Sequence, residues 1–151
     1  MLYFLLLSIL SFLQPTSNEL QNTEERIISY RGEDYNTTIS VEDRFIGPYK
    51  GRKSGYLILK RDGTGTYKYD VFGLAPASCK RMPITFEWGF ILDSTNSVIK
   101  RKRDYGYSYP ILLKSTSETT FQGCRTAVMM DYILDKKGVL NVSSSDDWKK
   151  Q

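Results

Sequence analysis

Residues 55–71 read GYLILKRDGTGTYKYDV, and this stretch decides the fold class. An apolar run at 55–60 leads into Asp62-Gly63-Thr64-Gly65, where glycine supplies the positive φ that a tight hairpin turn requires. The run 66–71 then alternates apolar and polar residues with a period of two, as a strand with one buried face does. The stretch therefore predicts an antiparallel β-hairpin.

Similar runs continue toward the C-terminus, at 84–92, 98–103, 109–115, 126–134 and 139–143. Turn-forming residues separate them every eight to twelve residues or so, and no long helical pattern intervenes. Because most connections are too short for Greek-key crossings, we predict an all-β fold, an antiparallel up-and-down meander barrel of about eight strands.

The core is predicted from apolar positions that recur at two-residue spacing on one side of each run. These positions are Leu57, Tyr67, Tyr69, Phe86, Trp88, Phe90, Ile111, Leu113, Val128, Met130 and Tyr132. At the end of the chain, Ser144 and Ser145 precede Asp146, Asp147 and Trp148. Hydroxyl and carboxylate side chains cap helix N-termini, so they predict a short C-terminal helical turn rather than an acid–base pair.

The N-terminus carries an apolar segment, residues 1–13, with no charged side chain. As a helix it would rise only about 20 Å, less than the roughly 30 Å hydrocarbon core of a bilayer. We therefore predict a signal peptide over 1–17 and an exported protein, periplasmic or secreted, that does not span a membrane. The alternative is a buried N-terminal strand or helix.

Two further segments follow: an N-terminal lead-in at 18–43 and the barrel domain at 44–151. The polar lead-in has no decisive periodicity, so both a short helix and a strand stay open as alternatives.

The two cysteines, Cys79 and Cys124, lie in the barrel domain. An even count in an exported chain predicts a disulfide, which would close a loop of about 45 residues. The alternative is two separate buried thiols.

The composition limits the chemistry, because the chain contains no histidine. That excludes Ser-His-Asp and Cys-His catalysis as usually built, and nearly every transition-metal site. The sequence also lacks the spaced-carboxylate pattern of a calcium loop. We therefore predict a protein that is not an enzyme and has no metal and no cofactor.

The strongest local feature is the basic run at 100–103, followed by Tyr105 and Tyr107. In a strand, Arg101 and Arg103 share one side and the two lysines share the other. One interpretation is an edge strand whose charges discourage strand addition. The other is a ligand site in which Arg101 and Arg103 grip an anion and Tyr105 or Tyr107 donates a hydrogen bond. Export argues against nucleic acid as the partner.

The chain resembles the lipocalin-like barrels, also called calycins, and especially small exported ones of unknown function. The residues that carry the resemblance are 45–49 (FIGPY), the hairpin at 62–65 and the ending 142–148 (VSSSDDW). Tyr49 stands where lipocalins have the tryptophan of G-x-W, and 130–132 (MDY) is a loose counterpart of their T-D-Y motif. The resemblance implies the barrel fold, and no site residue is carried over.

Two functions follow as expectations. The first is an exported, non-catalytic binding protein, a barrel holding a small apolar, lipid-like or anionic ligand. The alternative is an interaction or inhibitor module that meets another exported protein through its outer surface and loops. Ligand that co-purifies with the protein would separate the two.

Overall fold

The computed structural model describes residues 24–51, 55–68, 82–104, 106–121, 123–135, 140–143 and 148–150. Within these ranges the chain forms eleven strands and one 3-10 turn, Asp43–Phe45. The strands are β1 Glu25–Tyr30, β2 Glu33–Thr38, β3 Gly47–Lys50, β4 Tyr56–Leu59, β5 Thr64–Lys68, β6 Ile84–Ile91, β7 Arg101–Arg103, β8 Gly106–Ser115, β9 Ala127–Asp135, β10 Leu140–Ser143 and β11 Trp148–Lys150. The prediction of an all-β fold is confirmed.

All pairings in the sheet are antiparallel, in the order β1-β2-β6-β5-β4-β3-β11-β10-β9-β8-β7, with β6 also pairing with β8. The predicted hairpin is β4–β5, paired from Tyr56 with Lys68 to Leu59 with Gly65. Its turn contains Gly63 at a φ of 79°, the conformation for which glycine was expected there. Strands adjacent in sequence are neighbours from β3 to β6 and from β8 to β11, as in a meander. A closed barrel is not confirmed and stays a prediction.

Strand β6 changes partners along one of its edges. Ile84 to Glu87 pair with β5, whereas Phe90 and Ile91 pair with β2. Between these two partners, the Trp88 amide donates to the Gly63 carbonyl at 3.0 Å. The opposite edge of β6 pairs with β8. This arrangement attaches the β1–β2 hairpin to the end of β6 that extends past β5.

The predicted core is confirmed as one buried group, here called the inner cluster. It comprises Phe45, Tyr49, Leu57, Leu59, Tyr67, Ile84, Phe86, Trp88, Phe90, Tyr109, Ile111, Leu113, Phe121 and Tyr132. Val128 and Met130, also predicted, are partly buried and pack against it. Tyr69 lies outside the described residues. Period-two alternation therefore located the inner face of the sheet correctly.

A second buried group lies on the other face of the sheet. This outer cluster consists of Ile28, Ile91 and Leu112, with Tyr30, Tyr35, Ile99 and Met129 packed against it. Strand β1 contacts β6, β8 and β9, so the β1–β2 hairpin covers that face. The segment at 18–43 thus contains two strands of the sheet, which decides between the helix and strand alternatives.

The predicted C-terminal helical turn is not confirmed. Trp148 begins strand β11, which pairs with β3 through Lys149 and Lys50. The two acids proposed as caps, Asp146 and Asp147, lie outside the described residues, as does the predicted signal peptide. In the described part of the chain, no helix is long and apolar enough to cross a membrane.

Candidate functional site

Aromatic side chains pack ring against ring in the inner cluster. Phe90 stands edge-on to Phe45, Trp88 and Tyr132, at centroid distances of 5.2, 6.0 and 5.3 Å. Edge-to-face contacts at these distances add to the stabilisation that burial gives. Each of these four rings is at most 5% exposed. The inner face around Phe90 is therefore filled by the protein's own rings.

Trp88 and Tyr49, both in the inner cluster, direct their polar atoms at backbone carbonyls. Trp88 Nε1 donates to the carbonyls of Lys60 and Thr64, at 3.1 and 2.9 Å, and the Tyr49 hydroxyl donates to the Phe45 carbonyl at 2.9 Å. Burial raises the pKa of Tyr49 to about 12 and raises the pKa of Tyr132 well above its usual value. Both phenols are therefore neutral at physiological pH and serve packing rather than acid–base chemistry.

A mainly apolar cleft of about 180 Å³, here called the Val41 cleft, opens at the surface of the described structure. Seven residues line it: Ser40, Val41, Glu42, Phe45, Phe90, Val98 and Tyr109. Its floor is formed by inner-cluster rings, and Val41 and Val98 form apolar walls that are partly buried. The cleft therefore exposes a small piece of the core to the surface.

The segment after β2 builds this cleft. In the 3-10 turn, the Phe45 amide donates to the Glu42 carbonyl at 2.9 Å, and the Phe45 ring is buried against Phe90 and Tyr109. The Glu42 carboxylate lies on the rim, 2.7 Å from the Arg44 guanidinium. The cleft thus combines an apolar floor with a rim whose charges are paired.

The residues predicted to bind an anion lie on strand β7. This strand is last in the sheet order of the described residues and its three residues are exposed, which places the basic run at an edge of the sheet. The Arg103 side chain donates to Ser108 Oγ at 3.1 Å, and its Nη2 lies 3.7 Å from an Asp131 oxygen. The proposed grip of Arg103 on a ligand would compete with these contacts.

The other residues of the predicted anion site are Arg101, Tyr105 and Tyr107, and their surroundings differ from those of Arg103. Lys100 Nζ lies 4.0 Å from the centre of the Tyr107 ring, which is 39% exposed. Arg101 is exposed opposite Ser108 in the register of β7 and β8. Tyr105 lies outside the described residues. Anion binding by Arg101 and Arg103 stays a prediction.

Cys124 lies in a turn that follows Phe121. The residue has a φ of 58° and follows Gly123 with a φ of 75°. No free cysteine occurs in the part of the chain that the structure describes. Cys79 lies outside that part, so the disulfide stays a prediction. The described residues include no group of acidic, cysteine or histidine side chains that could hold a metal ion.

No family model, no curated protein and no solved structure matches this chain. The lipocalin-like resemblance therefore rests on the sequence motifs alone.

The sequence did not point to the Val41 cleft. Val41 lies in the polar lead-in and Val98 at the start of the basic run, and nothing in the sequence shows that these two segments meet. Phe45 was part of the motif that suggested the barrel family, and its role in the cleft depends on the 3-10 turn that follows β2. The available signal was the clustering of apolar residues 39, 41, 45 and 46 where the polar lead-in meets the barrel domain.

Proposed function

We propose that the protein is an exported, non-catalytic binding protein, a lipocalin-like barrel that holds a small apolar ligand in the Val41 cleft. The observation that carries this proposal is the cleft itself, in which buried Phe45 and Phe90 form an apolar floor open to the surface. Ligand pockets are concave and mainly apolar, with few polar groups at the rim.

Support for the barrel comes from two strand pairings. β6 pairs with β8, and β11 pairs with β3. In the proposed barrel, these two pairings would join β3, β4, β5, β6, β8, β9, β10 and β11 into one ring of eight strands. The β1–β2 hairpin and β7 lie outside this ring. Its inner face would be the aromatic inner cluster, so the ligand belongs at the opening and not at the centre.

The size and charge of the cleft limit the ligand. A cavity of about 150 Å³ lined by apolar side chains is enough for benzene, so about 180 Å³ accepts one small ring or a short alkyl segment. The carboxylate of Glu42 on the rim disfavours an anionic group at this position, although Arg44 offsets part of its charge. The ligand is therefore an uncharged small molecule or the apolar end of a lipid-like one.

Titration with indole and with hexanol tests this site directly. The variant Val98→Phe places a ring in the cleft and should weaken binding of both probes at least tenfold. Ile27→Phe is the matched control, because it enlarges an apolar side chain that is 63% exposed and does not line the cleft. The control should bind as the original protein does.

Equal binding by both variants would mean that the probes bind elsewhere, and the proposed cleft would be wrong. The absence of binding to the original protein would have the same consequence. Far-UV circular dichroism of both variants verifies that each keeps the β fold, so a loss of binding is not a loss of structure.

A second candidate is the interaction module, which one observation favours. Strand β1 is at the end of the sheet order and carries Ile27, the most exposed large apolar side chain in the described residues. An edge strand of this kind can take up an extended segment of another chain. A native mass spectrum of protein purified without denaturant separates the candidates: an adduct of small-molecule mass supports the first, and a protein-sized adduct supports the second.

A further inference from the structure

A second cleft lies on a different part of the surface and has a different character. It has a volume of about 300 Å³ and is lined by Ser29, Tyr30, Arg31, Cys124, Arg125, Thr126 and Ala127. We call it the Arg31 cleft. Two arginines line it and no acidic side chain does, which distinguishes it from the Val41 cleft.

Two turns hold the backbone on either side of this cleft. In the β1–β2 turn, Arg31 and Gly32 have φ values of 55° and 82°, the pair of positive values that a tight two-residue hairpin turn requires. In the other turn, the amides and carbonyls of Phe121 and Arg125 exchange hydrogen bonds of 2.8 and 3.2 Å. Both arginines therefore start from anchored backbone positions.

The two cleft arginines have no carboxylate partner in the described residues, although the Asp34 carboxylate lies beside the cleft, 2.6 Å from the Ser29 hydroxyl. Three other arginines in the described ranges pair with a carboxylate, Arg44 with Glu42, Arg61 with Asp43 and Arg103 with Asp131. Arg26 instead donates to the Gly63 carbonyl at 3.2 Å. Within those same ranges, no carboxylate forms an ion pair with Arg31 or Arg125. The Arg31 cleft is therefore a concave surface with positive charge, in a chain of formal net charge +4.

The side chains around the cleft suit an oxyanion. A guanidinium group is a planar fork of N–H donors that matches the oxygens of phosphate, sulfate and carboxylate. The Arg31 guanidinium carbon lies 5.2 Å from the centre of the Tyr30 ring, which restricts its orientation, and Thr126 adds a hydroxyl to the lining. The Ser29 hydroxyl already donates to Asp34 at 2.6 Å, so it is less available to donate to a bound anion.

We propose that Arg31 and Arg125 bind a tetrahedral oxyanion, the phosphate or sulfate group of a small ester, in this cleft. At about 300 Å³ the cleft is at the lower end of the range for small-molecule sites and larger than the anion alone needs. The remaining space, beside the Tyr30 ring, would take a group the size of one sugar ring. This inference concerns a separate site and does not depend on the Val41 cleft.

The test is a titration of the purified, unreduced protein at low salt with glucose 6-phosphate, glucose 6-sulfate and unmodified glucose. We expect both esters to bind and glucose to bind at least tenfold more weakly. Arg31→Gln/Arg125→Gln should weaken binding of the esters at least tenfold. Lys50→Gln/Lys60→Gln removes the same charge from two exposed positions that line neither cleft and should change the affinity less than twofold.

Each result decides the proposal. Binding of either ester that is lost only in Arg31→Gln/Arg125→Gln supports it, and the preferred ester identifies phosphate or sulfate as the group recognised. Equal losses in the two double variants would show that net charge alone attracts the esters, and the proposal would be wrong. It would also be wrong if only the lysine variant lost binding, if glucose bound as tightly as the esters, or if neither ester bound.

Discussion

Neighbouring residues of strand β8 belong to two different cores. Leu113 is a member of the inner cluster and Leu112 of the outer cluster, and both side chains are fully buried. The inner cluster draws on most strands of the sheet and is dominated by aromatic rings. The outer cluster has three buried members and exists because one hairpin lies over it.

The two clusters also differ in how their covering strands are attached. Strands around the inner cluster pair with neighbours along most of their length, whereas the β1–β2 hairpin joins β6 through two residue pairs, Thr37 with Ile91 and Thr38 with Phe90. Regions with few attachments open at a lower free energy than the whole protein does. The outer layer is therefore expected to open separately, while the inner cluster opens only on global unfolding.

The largest expected effect is at the centre of the inner cluster. Trp88→Ala should lower the free energy of unfolding by about 3–5 kcal/mol, because a fully buried ring leaves a cavity that its neighbours cannot fill. Trp88→Phe keeps most of the apolar volume, loses the two Nε1 hydrogen bonds and should cost less. Urea unfolding followed by far-UV circular dichroism measures both. A loss under 1 kcal/mol for Trp88→Ala would mean that the ring is not in the core.

The two adjacent leucines compare the clusters with the same chemical change. Leu113→Ala and Leu112→Ala should each cost about 2–5 kcal/mol, with Leu112→Ala at the lower end because the hairpin can move to fill the space. Hydrogen exchange gives the sharper difference: Leu112→Ala should increase exchange mainly in β1 and β2. If Leu112→Ala increased exchange equally in β4 and β5, the outer layer would not be a separate unit.

A smaller effect is expected from adding one carbon at the attachment of the hairpin. A Cβ at Gly89 would lie 2.4 Å from Thr37 Oγ1 and 2.6 Å from Thr37 Cβ. Gly89→Ala should therefore cost about 1–3 kcal/mol and loosen the hairpin. Gly65→Ala is the inner counterpart, since its Cβ would meet the Phe86 ring and the Ile58 carbonyl at 2.4 Å. It should destabilise the whole sheet, and its effect on exchange should not be confined to the hairpin.

The smallest expected effect near neutral pH is that of pH on the free energy of unfolding. Burial raises the pKa of Tyr49 to about 12 in the folded protein, while an unfolded chain ionises near the usual value of 10. The unfolded state therefore loses protons first, so the contribution of Tyr49 to stability should be constant below about pH 10 and fall between pH 10 and 12. Urea unfolding across this range measures it, and Tyr49→Phe should reduce the slope. A slope unchanged in Tyr49→Phe would contradict the assignment.

The inner cluster could be predicted because β-strands repeat every two residues and one face must be buried. The alternation in 66–71 and 84–92 located Tyr67, Phe86 and Trp88 correctly. The outer cluster could not be predicted in this way. Ile91 and Leu112 interrupt the alternation within unbroken apolar runs, which show that both faces are buried without showing what covers the second face.

Neither of the two clefts could be predicted from the sequence. The Val41 cleft brings residues from the segment after β2 next to Val98, and the Arg31 cleft brings two turns together that are about ninety residues apart in the chain. Such contacts depend on which strands are neighbours, and local sequence patterns do not encode that order. The basic run at 100–103 was conspicuous because its residues are consecutive, whereas Arg31 and Arg125 are isolated from each other in the sequence.

The pairing of β11 with β3 has a consequence for the order in which the chain folds. Most strand pairs join segments that are close in sequence, but this pair brings together Lys50 and Lys149. Closing a loop of roughly 100 residues costs about 4 kcal/mol of chain entropy before its contacts can compensate, so such contacts form slowly. During synthesis, β3 is made long before β11 and has one edge unpaired in the meantime. The interval between the making of these two strands is when the nascent chain is most exposed to association with other chains.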